Sequence, residues 1–500
     1  MKKLPEKIVS KKLILNMVFV LNLAALITVS FFHFFWIYAV VGGAFALCMI
    51  YPIASNNYVS HKLSSLLLIF VFPIYGVMLY IFTKSTSNML FGRKKWKKLC
   101  YNSSDYVVVD EGPLETLKKR NLTQFKIANY YANYFNAPLY ENSTTKYIAG
   151  AKNYYDELFA ELKNAKKYIF IDAYKIREGE VWNQLFEILK QKAREGVLIR
   201  ILYNPKKNKD AFADKLTFRK LINYKIEVMP FRSSRYGFAS HRKMFVIDGV
   251  VAFVGGTNIY DKHIVATTEV GNWRQAGIKV VGDAVWSMSV LFLNSWQFVT
   301  NNKSTDYMWF KPENLKKAKS NEFIQPISIS PLSSRNEVRD AYINLINNAQ
   351  SSITIVSSCV IIDSKVFIAL SNAVLGGVKV NLIVSNNNDK YNINILSRGH
   401  YESLIRAGVN VFEYGNGAVR SKVVSVDGET AMIGGTNLDV RKLNAQFDVN
   451  ILVYSKDFVK NVDKDLNDLI TGCRLMEKKD LKKDPFFERV KGKIFKFFGM

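Results

Sequence analysis

The chain has 500 residues, of which 49% are hydrophobic and 22% charged, and its formal net charge is +27. This length suits two globular domains with additional segments, and the hydrophobic fraction excludes an intrinsically disordered chain. The basic surplus favours a polyanionic partner, either nucleic acid or a membrane rich in anionic lipid, and charge alone does not distinguish them. The four cysteines stand far apart without metal-ligand spacing, which argues against a zinc site or a disulfide framework.

Residues 1–90 are predicted to form an N-terminal membrane region with two or three apolar segments. No Asp, Glu, Lys or Arg occurs from Leu13 to His61, and a second uncharged run extends from Leu63 to Thr83. About 20 apolar residues span a bilayer as a helix. Basic clusters flank the region on both sides, and the positive-inside rule places both in the cytoplasm. We therefore predict a multi-pass protein of the cell membrane with two spans, a cytoplasmic catalytic part, and the aromatic stretch around His33 lying in the interface.

Residues 91–145 show weak periodicity and are interpreted as a connector. Two copies of one unit follow, at residues 146–315 and 316–475. Each copy has a helix, a β-rich run (KYIFIDAY in the first, SSITIVSS in the second), a helix that ends at a glycine, and another strand. This alternation predicts an α/β fold with two tandem sandwich repeats and much parallel sheet. We expect the repeats to lie about a pseudo-twofold axis, with any shared site at their interface.

Residues 476–500 form a basic tail in which apolar residues recur at helical spacing. The residues of this apolar face are Phe486, Phe487, Val490, Ile494, Phe497 and Phe498. The pattern is typical of an amphipathic helix that lies on anionic lipid. The alternative is a helix that packs its apolar face on the globular part.

A short motif occurs once in each copy, with every position offset by the same number of residues. Each motif ends in a Gly-Gly-Thr-Asn run after two short strands. The positions that carry polar side chains are His241, Lys243, Asp248 and Asn258 in the first copy, and Arg420, Lys422, Asp427 and Asn437 in the second.

The first-copy motif suits substitution at a phosphodiester. His241 and Lys243 are two apart on a strand and face the same side. An imidazole can attack phosphorus and hold a covalent intermediate, while Lys and Asn side chains bind the non-bridging oxygens and Asp orients neighbouring groups. No metal or other cofactor is needed where these cations hold the charge. An ordinary β-hairpin with a surface histidine is the competing interpretation, and it does not account for the repetition in register.

The pattern H-x-K-x4-D followed by G-G-x-N resembles the signature of the phospholipase D superfamily, and the chain is similar to its bacterial cardiolipin synthases from about Leu13 to Cys473. Pro73, Gly76 and Tyr80 match the P-x-x-G-x-x-x-Y signature of their membrane hairpin. The stretches SHRKMFVIDG, Trp273-Arg274 and NLDVRKLNAQFDVN resemble further elements of those enzymes.

This resemblance implies transfer of a phosphatidyl group from one phosphatidylglycerol to another through a phosphohistidine intermediate, with release of glycerol. It implies His241 as the nucleophile, with Asp248 and Asp427 completing the catalytic set. The residues implied to hold the phosphate are Lys243, Asn258, Lys422 and Asn437. The expected partners are anionic phospholipid, above all phosphatidylglycerol, and the membrane. No nucleic acid is expected, because nothing in a nuclease requires membrane spans.

The second copy departs from the family pattern at its site. Arg420 stands where the family has a His that protonates the leaving alkoxide and deprotonates the incoming alcohol. Arginine stays charged and cannot do this, and losing general acid-base catalysis costs about 10²–10⁴-fold in rate. A permanent cation at this position can instead bind a phosphate. Gln275 replaces the Asp of the family's W-R-D element, and Asp448 replaces a Glu.

Three functions remain open at the level of sequence. The first is a phosphatidyltransferase, slow unless His400 or His263 supplies the missing proton transfer in place of a surface or packing role. The second is a lipid-binding partner without catalysis that regulates another lipid enzyme. The third is hydrolysis of a phosphodiester, in phospholipid or nucleic acid, by the same site.

Overall fold

The structure, a computed structural model, describes residues 11–31, 35–54, 66–83, 86–208, 220–231, 239–261, 273–300, 306–313, 320–333, 337–386, 391–415, 417–439 and 446–498. These residues form two compact units, one made of Met1–Phe91 with Lys493–Met500 and the other of Gly92–Gly492. Every described residue of the two motifs lies in the second unit.

The helices are α1 (Lys11–Phe31), α2 (Phe35–Ala54), α3 (Pro73–Thr83), α4 (Thr86–Asn102), α5 (Glu111–Arg120), α6 (Leu122–Phe135), α7 (Ala151–Lys163), α8 (Glu180–Arg194), α9 (Val285–Thr300), α10 (Glu337–Asn348), α11 (Ser364–Leu375), α12 (Tyr391–Arg406), α13 (Lys456–Thr471), α14 (Lys478–Leu481) and α15 (Phe486–Phe498).

The strands are β1 (Ser143–Ala149), β2 (Tyr168–Ala173), β3 (Leu198–Tyr203), β4 (Glu227–Pro230), β5 (Ala239–Ser240), β6 (Lys243–Ile247), β7 (Val251–Gly255), β8 (Ala276–Gly282), β9 (Phe323–Ile329), β10 (Ser352–Ser357), β11 (Lys379–Ser385), β12 (Asn410–Tyr414), β13 (Val423–Val426), β14 (Thr430–Gly434), β15 (Gln446–Tyr454) and β16 (Cys473–Leu475).

Two sheets of corresponding topology form the α/β core. The first has seven strands in the order β1-β8-β7-β6-β2-β3-β4. The second has nine strands in the path β16-β12-β11-β10-β13-β14-β15-β5 with β9 on β15. In both sheets the strand after the first helix, β2 or β10, pairs in parallel with the next strand and antiparallel with the motif strand, β6 or β13. The tandem α/β repeats predicted from the sequence are therefore present.

Burial explains why these segments become strands and helices. Every residue of β2 is buried, as expected of a strand that is covered by helices on both faces of its sheet. On one face Phe170 stacks on Phe292 of α9, with ring centroids 4.4 Å apart. On the other side of the repeat, α8 buries Val181, Leu185 and Leu189, which recur at the helical period.

The predicted connector contains two capped helices. Asp110 accepts a hydrogen bond from the Gly112 amide at the start of α5, and Asn121 accepts one from the Gln124 amide at the start of α6. These side chains satisfy amides that the first helical turn leaves without partners. The α6 helix is tied to the second repeat, because the Tyr131 hydroxyl donates to the Ala341 carbonyl at 2.8 Å.

In the N-terminal unit, α1, α2 and α3 pack together, with the Phe19 ring 5.1 Å from the Tyr75 ring. No described helix combines the length and the apolarity that crossing a bilayer requires, so the predicted spans are not found among them. His33, His61, His263 and the basic cluster of residues 1–10 lie outside the described residues.

Candidate active site

The two repeats meet through a pair of related backbone contacts. Strand β5 of the first repeat runs parallel to the start of β15, and the His241 amide donates to the Phe447 carbonyl at 2.9 Å. In the reciprocal contact the Arg420 amide of the second repeat donates to the Arg274 carbonyl at 2.8 Å. We call this junction the seam. It brings His241 against the start of β15, and Arg420 against Arg274, two positions before β8.

His241 is paired across the seam with Asp448. Its Nδ1 lies 3.0 Å from Oδ2 of Asp448, and the two residues are only 9% and 3% exposed. The Lys243 ammonium donates to the His241 carbonyl at 2.7 Å and lies 3.5 Å from Nδ1. The nucleophile predicted from the motif is therefore held by groups from both repeats.

Electrostatics fix the protonation of this pair. Burial and the Lys243 charge lower the pKa of His241 well below its ordinary value, although Asp448 acts in the opposite direction. Burial acts to raise the pKa of Asp448, but the hydrogen bond and charge of His241 and the charge of Lys243 lower it overall. An ionised Asp448 accepts from Nδ1–H of a neutral imidazole. The Nε2 lone pair then remains available for attack on an electrophile.

The lysine of the second motif also belongs to the seam. The Lys422 ammonium donates to the Arg420 carbonyl, as that of Lys243 does to His241. Its charge contributes to the lowered pKa of His241 in the other repeat. Gly256 of the first motif lies so close that a Cβ there would meet the Arg420 carbonyl oxygen at 2.4 Å and Lys422 Nζ at 3.4 Å. Glycine is therefore required where the Gly-Gly-Thr-Asn run passes the opposite lysine.

The two motif asparagines follow strands β7 and β14. The Asn437 side-chain oxygen accepts from the Ser358 amide at 3.3 Å, and the Tyr155 hydroxyl donates to the Asn258 carbonyl at 2.6 Å. Asn437 is buried and Asn258 half-buried. Both follow the glycine pair that packs against the seam.

The two motif aspartates lie elsewhere. Asp248 and Asp427 occupy the turns at the far ends of β6 and β13, each with φ of 54°. The Asp248 carboxylate accepts from the amides of residues 166, 167 and 168 at 2.7–2.8 Å, and Asp427 accepts from those of residues 350, 351 and 352 at 2.7–2.9 Å. These hydrogen bonds hold the first residues of β2 and β10 in place. This placement differs from the predicted catalytic role and indicates a structural one.

Strand register shows which residues correspond between the repeats. Gly277 of β8 lies opposite Gly255, and Asn450 of β15 lies opposite Gly434. Two residues before these positions stand Gln275 in the first repeat and Asp448 in the second. Gln275 therefore corresponds to Asp448, as Arg420 corresponds to His241. The seam therefore carries a His–Asp pair at one set of corresponding positions, and Arg and Gln at the other.

The Arg–Gln side of the seam is polar and only partly satisfied. Gln275 is 3% exposed, and neither its Oε1 nor its Nε2 has a hydrogen-bond partner within the described part of the chain. The Arg420 guanidinium stacks over the Trp273 ring, 4.7 Å from its centroid. This side therefore offers a fixed positive charge and an amide, and no group of the pair can exchange protons at neutral pH.

Sequence reasoning missed two contributors to the site. Asp448 enters the sequence analysis only as a departure from a family pattern, and no signal within one repeat places it against His241 of the other. Tyr174 directly follows β2, and its ring centroid lies 4.4 Å from that of His241. The equivalent position in the second copy is Ser358, the last residue of SSITIVSS, so aligning the two runs would have shown the difference.

Among the described residues, no histidine substitutes for the missing second histidine at the seam. His400 is buried on α12, which packs on β12. That strand is three positions from β13 in the sheet order, or about 14 Å at the usual strand spacing. His263 lies outside the described residues. Among the residues that the structure describes, no cluster of His, Cys, Asp or Glu could hold a metal ion.

Comparison with known proteins gives one family. The family model described as "Cardiolipin synthase, PLD-like domain" matches residues 158–275 and 342–470, one match in each repeat. A cardiolipin synthase of Alkalihalophilus pseudofirmus is 29% identical over 493 residues, covering 94% of this chain and 96% of the relative. A cardiolipin synthase of Geobacillus kaustophilus is 28% identical over 439 residues, covering 84% of each chain.

Two further similarities concern an uncharacterized protein and a solved fold. The uncharacterized protein, of Streptococcus mutans, is 29% identical and covers 86% of this chain and 94% of the relative. The crystal structure of phosphatidylserine synthase from Haemophilus influenzae matches with a TM-score of 0.58 at 16% identity, covering 74% of this chain and 97% of that one. At that identity the likeness supports the fold. With both motif copies at one seam and a family match in each repeat, this chain belongs to the phospholipase D superfamily, as a cardiolipin synthase-like member whose second motif is degenerate.

Proposed function

We propose that the chain is a membrane phosphatidyltransferase that moves a phosphatidyl group from phosphatidylglycerol through His241 to a second alcohol. The observation that carries the proposal is the buried His241–Asp448 pair, formed between the repeats with Lys243 and Lys422 beside it. The names of the relatives supply the substrate class, since those proteins are called cardiolipin synthases.

The proposed reaction has two steps. The Nε2 atom of His241 attacks phosphorus, the bond to the glycerol oxygen breaks, and glycerol leaves with a proton. The acceptor hydroxyl then attacks the phosphohistidine, loses its proton and releases the imidazole. Lys243, Lys422, Asn258 and Asn437 hold the non-bridging oxygens in both steps, where negative charge must be stabilised by preorganised donors.

Labelled phosphatidylglycerol tests this proposal. The purified full chain should convert it to cardiolipin and glycerol, and His241→Ala should form neither. A base-stable, acid-labile labelled adduct should accumulate on the wild-type protein alone. His400→Gln is the matched control, because it removes an imidazole on α12 away from the seam and should retain turnover. Full activity in His241→Ala would refute the mechanism.

The second candidate is a lipid-binding partner without turnover, which the Arg420 and Gln275 pair favours. A guanidinium binds a phosphate well and transfers no proton. This candidate predicts binding to phosphatidylglycerol vesicles that depends on Arg420, with no product from the wild-type chain. Product formation that requires His241 excludes it.

A further inference from the structure

Phe447 of the second repeat is joined to both members of the catalytic pair. It directly precedes Asp448 on β15, and its carbonyl accepts the His241 amide at 2.9 Å. The placement of Phe447 therefore decides whether the Asp448 carboxylate reaches Nδ1 of the imidazole, which lies 3.0 Å from its Oδ2. A displacement of about 1 Å in a catalytic group can cost about 10²-fold in rate.

The Phe447 side chain packs against the first repeat and the connector. The Arg242 guanidinium lies over its ring, 5.1 Å from the centroid. The rings of Trp96 and Phe231 meet it edge to face, with centroids 5.0 Å and 4.9 Å away. We call these three neighbours the socket. Phe447 is 1% exposed and Arg242 is fully buried, and a cation attracts an aromatic face most strongly where water is excluded.

Arg242 is itself fixed by buried polar groups of the first repeat. Its Nη1 donates to Ser295 Oγ at 2.6 Å and to Asp172 Oδ2 at 3.3 Å. The other carboxylate oxygen of Asp172 accepts from Ser240 Oγ at 2.9 Å, and Ser240 pairs with Phe447 where β5 meets β15. The contacts thus run from the Phe447 side chain through the first repeat and back to the Phe447 backbone, and they restrain both.

On the other side of the seam, the residues at the corresponding positions make different contacts. The position of Phe447 is taken by Arg274, whose guanidinium donates to Asp465 Oδ1 at 2.9 Å. The position of Arg242 is taken by Ser421, whose hydroxyl donates to the Arg274 carbonyl at 3.3 Å. Of the two sides, the socket therefore belongs to the one that keeps a histidine and an aspartate.

We propose that Phe447 and Arg242 are positioning residues for the His241–Asp448 pair. The inference rests on the proposed phosphatidyl transfer through His241. The socket fixes the start of β15, so that the Asp448 carboxylate accepts from Nδ1–H and leaves the Nε2 lone pair to attack phosphorus. Both residues act through Asp448 and do not touch the reacting atoms. When the socket is loosened, the carboxylate moves away and the neutral imidazole populates both tautomers.

A double-mutant cycle tests this role. Phe447→Leu removes the aromatic face under the guanidinium, and it should lower kcat per active site, titrated by adduct formation, by about 10²-fold. KM should stay within about threefold, because the socket does not touch the substrate. In this background the added Asp448→Asn change should cost less than about tenfold, since the carboxylate that it replaces is already displaced.

Phe253→Leu is the matched control for the cycle. It shortens a fully buried phenylalanine in the core of the first repeat, away from the socket. The kcat per active site should stay at the wild-type value, and Asp448→Asn should keep its full cost in this background. A merely structural role of Phe447 would give the same result as this control.

The tautomer of His241 gives a readout that does not depend on turnover. In the full chain with isotopically labelled histidine, the His241 nitrogen resonances are assigned by their loss in His241→Ala. They should show the proton on Nδ1 in the wild type and both tautomers in Phe447→Leu. Arg242→Lys keeps the charge without the planar guanidinium and should give an intermediate spectrum.

The two readouts separate this inference from the proposed function. An unchanged tautomer in Phe447→Leu, or an equal cost of Asp448→Asn in the wild-type and Phe447→Leu backgrounds, would overturn the positioning role and leave the proposed function standing. A wild-type chain without turnover, with a tautomer that shifts in Phe447→Leu, would overturn the proposed function and retain the positioning of the pair.

Discussion

His241 is held neutral because burial and the Lys243 ammonium outweigh the Asp448 carboxylate. The carboxylate has a different task, which is to accept from Nδ1–H and keep the lone pair on Nε2 directed at the substrate. Burial and the lysine charge therefore prevent protonation of the imidazole, and the aspartate sets its tautomer. This division makes the pH behaviour of the reaction predictable.

We predict that Asp448→Asn lowers kcat by about 10²–10⁴-fold, because an amide can hold the wrong tautomer of its histidine partner. For the wild-type chain, the lowered pKa of His241 keeps the imidazole neutral as the pH falls through about 6.5, where an ordinary histidine titrates. The acid side of the profile of kcat/KM should therefore stay flat down to about pH 6. Initial rates of transfer across this range measure both effects.

Asp457→Asn serves as the control for this substitution, since Asp457 is exposed at the start of α13 and its loss should leave kcat unchanged. A wild-type rate that halves near pH 6.5 would contradict the assigned protonation state. An Asp448→Asn variant with full activity would contradict the assigned tautomer.

Motif spacing predicts which residues are neighbours along one strand. It gives no information about the residues of the other repeat that contact that strand. It correctly groups His241 with Lys243, since period-2 geometry alone puts them on one side. It could not find Asp448, because that contact joins residues 207 positions apart in the chain and depends on how the two repeats dock. Spacing also predicted a catalytic role for Asp248, but this residue lies in the turn at the far end of β6, where it binds backbone amides.

The turns at Asp248 and Asp427 are the elements that fix the length of each motif strand. Each aspartate adopts a left-handed backbone conformation and accepts three backbone amides from the entry of the neighbouring strand. Among residues other than glycine, Asp and Asn tolerate this conformation best. The H-x-K-x4-D spacing is therefore a strand of fixed length between a seam residue and a turn.

We predict that Asp248→Ala lowers the free energy of unfolding by about 1–3 kcal/mol, because it removes a charged acceptor and adds left-handed strain. The kcat of the folded fraction should change by less than about threefold. Chemical denaturation and rates per active site, titrated by adduct formation, measure the two quantities. Asp248→Asn is the matched control and should retain more of the stability. A stable Asp248→Ala variant without activity would restore the catalytic interpretation.

The connector shows the limit of periodicity at the element scale. Residues 91–145 give a weak signal because the buried faces of their helices are not purely apolar, as where α6 buries Gln124 beside Ile127 and Tyr131. The side chains of Asp110 and Asn121 mark the starts of α5 and α6 in the structure. The repeated strands were predictable because each is a short run rich in β-branched and aromatic residues between turns.

The whole molecule combines a charge of +27 with an apolar helix face at its end. On α15, Phe487 is 83% exposed, and Phe486, Val490 and Ile494 are also exposed. Basic side chains accompany these residues along the same helix. Buried apolar area and attraction to anionic headgroups both favour adsorption of such a helix to a membrane.

We predict that the chain binds phosphatidylglycerol vesicles far better than phosphatidylcholine vesicles, with an affinity that falls as salt is added. Phe487→Ser should weaken binding by about threefold to tenfold, because it removes one aromatic side chain that becomes buried in the bilayer on adsorption. Vesicle co-sedimentation measures this. Leu375→Ser is the control, because Leu375 on α11 is 84% exposed yet lies outside the tail. Equal losses in both variants would show that the tail has no special part in adsorption.

Because each cross-seam pair takes one member from either repeat, damage to this protein is not confined to one half. Arg420 sits in the second copy and Gln275 in the first, whereas the intact His241 and Asp448 are divided the other way round. With arginine in place of histidine at position 420, a carboxylate at position 275 would have no imidazole to orient. The substitution at position 420 is therefore accompanied by a substitution in the other repeat, at position 275, and not at its sequence neighbours. Restoring a second His–Asp pair requires changes in both segments of the chain.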